Sequence, residues 1–171
     1  MKTLLAVLLL GAASTQASGE PSHAVVDACL RGENATPEVR YRPIAAAAFL
    51  VTEDKEAGKT ETTLRHGQDT VGTWQVKKPR EFGLVFNGKE IPLGRVTRLD
   101  KRKAPEEFNP YEAIWGEARE GSKSYICATF NYDGLGKSGS LQNVRGLYLI
   151  ARGAGSRATF YISGNIAAGA Q

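Results

Sequence analysis

Three runs of strand character, separated by two glycine-rich breaks, fill Ser124 to Ser163 and constrain the fold of this chain more than any other stretch. In the first, Ile126, Ala128, Phe130 and Tyr132 alternate with Tyr125, Cys127, Thr129 and Asn131. Successive side chains of a strand point to opposite faces, so one face is apolar and the other mixed. Asp133 to Ser140 is rich in glycine and other turn formers. Val144 to Ala151 is then apolar at nearly every position, as a central strand covered on both faces must be. After Arg152 to Ser156, a second break, Ala158, Phe160 and Ile162 alternate with Thr159, Tyr161 and Ser163, the pattern of a half-buried strand. Together these runs predict a β-meander.

The start of the chain sets the compartment. Lys2, an apolar run from Leu4 to Leu10 and small residues ending at Ala17 follow the order of a secretory signal peptide over residues 1–17. That apolar run is too short for a membrane-spanning helix, and no later segment approaches the length of one. The expectation is a single β-rich domain over residues 18–171, secreted or periplasmic, and its length suits one core rather than two. The chain has two cysteines, Cys29 and Cys127. An oxidising compartment favours pairing them in a disulfide, which would tie the N-terminal region to the meander.

Pro21 to Gly32 predicts a short helix, with Ser22 as its N-cap, Val25, Val26, Cys29 and Leu30 at helical spacing, and Gly32 where it ends. Asn34-Ala35-Thr36 matches the acceptor pattern for N-glycosylation. Val39 to Pro43 alternates, and Ile44 to Val51 reads as a strand. The charged and polar segment from Glu53 to Thr63 reads as a solvated loop. Thr70 to Lys77 and Glu81 to Phe86 are strand candidates. Asn87-Gly88 then gives the strongest turn signal in the chain, because a type I′ hairpin needs positive φ at both central residues. Pro92 confines the returning strand to a sheet edge. Tyr111 to Trp115 is a further strand candidate. With seven to nine short strands and one helix, the fold class is mainly β: an antiparallel β-sandwich or barrel with one short N-terminal helix.

Chemistry is sparsely signalled. Gly134-Leu-Gly-Lys-Ser138 resembles the end of a phosphate-binding loop, but Asn131 stands where the first glycine belongs, and a strand rather than a helix follows. Asn131, Asp133 and Ser138 supply too few carboxylates for a calcium loop of the EF-hand type. Two histidines, His23 and His66, do not make a three-histidine zinc site, and no metal or cofactor is expected. A Cys127 nucleophile with His66 as base competes with the disulfide, and His66 reads as a loop residue. Glu112 and Glu117 flank Trp115, an arrangement open to a sugar hydrolase, although carboxylates alternating outward from a strand need no function.

The remaining feature is basic. The chain carries 22 Lys and Arg against 18 Asp and Glu, a net charge of +4. Lys77, Lys78 and Arg80, with Arg95, Arg98, Lys101, Arg102 and Lys103, would meet at the open end of the Asn87-Gly88 hairpin. Such a patch suits an acidic protein or an anionic polysaccharide. No aromatic interleaving points to single-stranded nucleic acid, so none is expected. The leading expectation is therefore an exported, non-enzymatic binding protein of the inhibitor or immunity type with an acidic macromolecular partner. A secreted carbohydrate-active hydrolase, or an envelope or matrix component that binds anionic polymer, is the alternative. The edge proline favours a monomer.

Overall fold

The computed structural model describes residues 20–45, 49–98, 113–131, 144–153 and 158–163. Residues 1–17, Glu112, Lys101 to Lys103 and Gly134 to Ser138 lie outside these residues. Two antiparallel sheets pack face to face as a β-sandwich, with one helix.

The helix, α1 (His23–Arg31), begins and ends where its caps dictate. The Ser22 side chain accepts the Val25 N–H, and Gly32 closes the helix at φ 77°, a left-handed conformation that glycine adopts without a Cβ clash. Strand β1 (Val39–Pro43) follows it. The chain then changes sheets and runs as consecutive neighbours through β2 (Leu50–Asp54), β3 (Lys59–His66), β4 (Asp69–Val76), β5 (Glu81–Phe86) and β6 (Lys89–Pro92). A short 3-10 turn, Leu93–Arg95, returns it to the first sheet, which β7 (Thr97–Arg98), β8 (Ile114–Glu120), β9 (Lys123–Asn131), β10 (Arg145–Ala151) and β11 (Ala158–Ser163) complete. That six-stranded sheet has the order β1-β8-β9-β10-β11-β7, and the five-stranded sheet the order β2-β3-β4-β5-β6. The meander is present as β8-β9-β10-β11, with β10 in the interior of its sheet. Its β7–β11 pair is parallel, unlike the others among the described residues.

The alternation in β9 sorts the molecule into two cores. Ile126, Ala128 and Phe130 face the five-stranded sheet and pack with Trp115, Tyr148, Leu84, Phe86 and Val71. Tyr125 and Cys127 face the other way, onto α1, with Val25, Ala28, Leu147 and Leu149. The interior strands of the six-stranded sheet are thus covered on both faces. Cys29 and Cys127 form a disulfide across the outer core, with Cα atoms 5.7 Å apart, which is compatible with an oxidising compartment. Two side chains of the sheet also take up helix carbonyls: Thr129 donates to the Cys29 carbonyl at 3.0 Å and Arg145 to the Leu30 carbonyl at 2.6 Å. Those acceptors near a helix end have no partners within the helix.

Asn87 has φ 52° and Gly88 φ 73°, the double positive φ of the expected hairpin, and β6 lies at the sheet edge as Pro92 requires. Elsewhere the strands exceed expectation. The segment from Glu53 to Thr63 is a β-hairpin rather than a solvated loop: β2 and β3 pair from Leu50↔Thr63 to Asp54↔Lys59. Thr62 and Thr63 are buried, and the branched Thr side chain fits a pleated surface despite its hydroxyl. Of the expected strand over Ile44 to Val51, Leu50 and Val51 belong to β2 and residues 46–48 lie outside the described residues; Ile44 ends the β1 pairing by donating its N–H to the Trp115 carbonyl. Strand β8 likewise continues past Trp115 to Glu120.

The outer edge of β1 is closed by its own preceding loop. The Tyr41 N–H donates to Asn34 Oδ1 at 2.7 Å, and the Val39 N–H to the Thr36 carbonyl at 3.2 Å. Edge donors satisfied in this way offer less to a strand of another chain.

Candidate functional site

The β3–β4, β5–β6 and β8–β9 turns all lie at one end of the sandwich, together with the end of β10. The inward-facing positions there are polar. His66 shares its face with Leu64 and Asp69 with Val71, while Glu117 and Arg119 continue the face of Trp115. Ser124 and Arg152 continue those of Ile126 and Ile150.

These side chains converge on Glu117, which is only 3% exposed. Its Oε1 accepts from Arg119 Nε at 2.8 Å, from Ser124 Oγ at 2.9 Å and from Arg152 Nη1 at 2.6 Å. Its Oε2 lies 3.3 Å from His66 Nε2. Arg152 also forms an ion pair through Nη2 with Asp69, and Asp69 accepts from Asn87 Nδ2 at 2.8 Å. The group therefore joins β3 and β4 of one sheet to β8, β9 and the end of β10 of the other. Burial alone would push the Glu117 carboxyl up. The hydrogen bonds from Arg119, Ser124 and His66 and the charge of Arg152 outweigh it and lower its pKa to about 2.

A carboxyl in this state gives up its proton far below neutrality. It is a poor general acid, because that role needs a pKa near the working pH. Trp115, 3% exposed in the inter-sheet core, offers no open ring for a sugar to stack on. The outward alternation expected of Glu117 is thus corrected: Glu117 and Trp115 both point inward, the first into an ion-pair cluster and the second into hydrocarbon. Cys127 is bonded to Cys29 and buried, which removes it as a nucleophile. His66 is not a loop residue but the last residue of β3, held against Glu117. Among the described residues no group of three or more His, Cys, Asp or Glu is placed to hold a metal ion.

Beside this cluster, β1 presents two arginines. Val39 and Tyr41 face α1, so Arg40 and Arg42 face the opposite side, and both are exposed. Register sets Arg40 directly opposite Arg119 and Arg42 directly opposite Glu117. The Glu117 oxygens engage Arg119, Ser124, Arg152 and His66, and neither Arg40 nor Arg42 has an ion-pair partner among the described residues. In the sequence, Arg40 and Arg42 stand out only as the polar half of an alternating strand. Their opposition to Arg119 needs a pairing register that no local signal supplies.

Of the basic residues singled out in the sequence, Lys77, Lys78 and Arg80 lie in the exposed turn between β4 and β5. The Arg80 guanidinium sits 5.8 Å from the centre of the Phe82 ring. Arg95 is exposed in the 3-10 turn after β6, and Arg98 ends β7. The Gly83↔Pro92 pairing sets the β4–β5 turn and the 3-10 turn at the same end of the five-stranded sheet, away from Glu117. The eight residues of β4 separate the two ends by about 23 Å at some 3.3 Å per residue.

No protein-family model matches the chain, and comparison with curated proteins and with solved structures found no match either.

Proposed function

We propose that this chain is an exported, non-enzymatic binding protein of the inhibitor or immunity type, recognising an acidic protein partner through the basic end of its five-stranded sheet. The observation that carries the reading is the β4–β5 turn. Lys77 and Lys78 stand exposed and side by side there, with no ion-pair partner among the described residues, while Glu61 and Glu90 are engaged by Lys59. An exposed cation held in no ion pair contributes to steering and to electrostatic fit with an anionic surface rather than to stability. The state of Glu117 lends weight in the same direction, since the most deeply buried carboxylate among the described residues is occupied as a structural acceptor.

The test is capture of partners from the source's own secreted or envelope fraction by the mature, disulfide-intact protein, at low and high salt, beside a Lys77→Gln/Lys78→Gln variant. A single stoichiometric protein, weakened by salt and by the variant, is expected. Anionic polymer alone, released by salt, would replace this reading with that of an envelope or matrix component. Capture unaffected by the variant would remove the β4–β5 turn from the site.

A further inference from the structure

We infer that the sandwich carries a second anion site at its other end, a notch on the inner face of β1 that takes an extended acidic segment of a partner protein, with carboxylates on alternate residues. The inference stands apart from the reading above, because the notch and the Lys77–Arg80 turn lie at opposite ends of the molecule.

The notch follows from the mismatch of the two sheets. The His66–Glu117 contact places β3 over β8, and the Asp69–Arg152 ion pair places the next strand, β4, towards the end of β10. Strand β2 therefore lies on the side of β1. Its pairing with β3 begins at Leu50↔Thr63, three residues short of His66. At the level of His66, then, no described residue of β2 roofs the inner face of β1, residues 46–48 lying outside the described residues, and Arg40 and Arg42 are exposed there.

The charge arrangement calls for an anion. Arg40 and Arg119 sit directly opposite one another on neighbouring strands, and like charges so placed destabilise a sheet. Arg119 gives its Nε to Glu117, and the same Glu117 oxygen also serves Ser124 and Arg152. Oε2 faces His66, and neither oxygen is paired with Arg40 or Arg42. A carboxylate from outside would meet two guanidinium groups whose planar forks match it in two-point contact.

Spacing selects the occupant. Arg40 and Arg42 are two residues apart on a strand, about 6.6 Å at 3.3 Å per residue, which is also the repeat of alternate side chains along any extended peptide. A Thr-Glu-Thr-Glu pattern would set successive carboxylates against successive arginines. Because the outer edge of β1 is closed by Asn34 and Thr36, recognition here runs through side chains on the sheet face rather than through strand addition.

The experiment uses the mature, disulfide-intact protein and a fluorescein-labelled peptide of four Thr-Glu repeats. A block isomer with four Thr followed by four Glu and a uronate polymer, polygalacturonate, serve as competing probes. Fluorescence anisotropy is read for the native protein, for Arg40→Gln/Arg42→Gln, for Arg40→Lys/Arg42→Lys and for Lys77→Gln/Lys78→Gln, each with a thermal melt. Expected are binding of the alternating peptide in preference to its block isomer and a loss on the order of tenfold per arginine in the Gln variant. The Lys variant should fall between, and the Lys77→Gln/Lys78→Gln variant should be unchanged. If only the Lys77→Gln/Lys78→Gln variant loses binding, the notch is wrong while the basic-turn reading survives. Equal binding of the block isomer overturns the spacing argument, and binding of polygalacturonate without peptide overturns the choice of occupant. No binding of any probe, or a Lys variant as weak as a misfolded Gln variant by its melt, overturns the site.

Discussion

Replacing Glu117 with glutamine tests the central cluster most directly, because Gln is close to an isosteric copy of the protonated carboxyl. The folded carboxyl titrates at about 2 against an ordinary 4.5. At about 1.4 kcal/mol per tenfold in proton affinity, that difference corresponds to about 3 kcal/mol of folded-state preference for the charged form. The sign follows from the lowered value. The contribution is complete above the unfolded-state pKa near 4.5 and is lost as pH falls through that range towards about 2. Glu117→Gln is therefore expected to be about 3 kcal/mol less stable than the native protein at pH 7. The gap should remain nearly whole at pH 6, shrink to less than half by pH 3 and close near pH 2.

Urea unfolding of both proteins at pH 7, 5 and 3, with the disulfide intact, measures that gap as a shift in midpoint at constant slope. Other carboxylates titrate in both proteins alike, so the difference isolates Glu117 and the groups that face it. Those groups are His66, Asp69, Arg119, Ser124 and Arg152. A gap below about 1 kcal/mol at pH 7, or one that does not change with pH, would refute the reasoning. It would mean that desolvation of the carboxylate cancels its ion pairs, as it does in many buried pairs.

Three further outcomes are expected. Cys29→Ser/Cys127→Ser should lose about 4–5 kcal/mol, because the bond closes a loop of 98 positions, and the native protein should show no thiol to alkylating reagent before reduction. Gly83→Ala should cost about 1–3 kcal/mol in chemical denaturation, since a Cβ there would overlap the Trp74 indole and the Ile91 carbonyl, whereas the exposed Gly94 should accept alanine with little change. Asn87→Ala should cost about 1–2 kcal/mol, from a positive φ without glycine and from loss of the bonds to Asp69 and to the Thr70 N–H; Asn87→Gly, measured by thermal melt, should recover part of it.

What was legible in the sequence was local. The Ser22 and Gly32 caps act within one turn of the chain, the Asn87-Gly88 turn fixes its own φ values, and the alternation of β9 states which residues face which core. The β2–β3 hairpin was hidden because its buried positions are threonines and its ends are charged, so hydropathy reads it as solvent. The end of β8 was hidden for a related reason: Gly116 lies beneath the Tyr41 ring and Glu117 turns inward, neither of which looks like a buried strand residue. Glu117 drew notice for its nearness to Trp115, yet its face was misread. The groups that make its burial tolerable are His66, 51 positions earlier, and Arg152, 35 later, and only the packing of the two sheets brings them together.

That distance in sequence explains how the cations divide. A buried carboxylate has to recruit positive charge from whichever strands reach it, and at the turn-rich end Glu117 and Asp69 take Arg119, Arg152 and His66. Those pairs lock the sheets together and leave the acids with nothing to give a ligand. Arg40 and Arg42, on the strand that β2 fails to roof, are the cations beyond that demand. Lys77 and Lys78 are the same at the opposite end, where no buried acid lies within the turn. Residues that stabilise the fold are thus its paired charges, and the residues free to recognise a partner are the unpaired cations at the two ends of the sandwich. A partner engaging both ends would have to span the length of β4, about 23 Å, with acidic groups at each extremity.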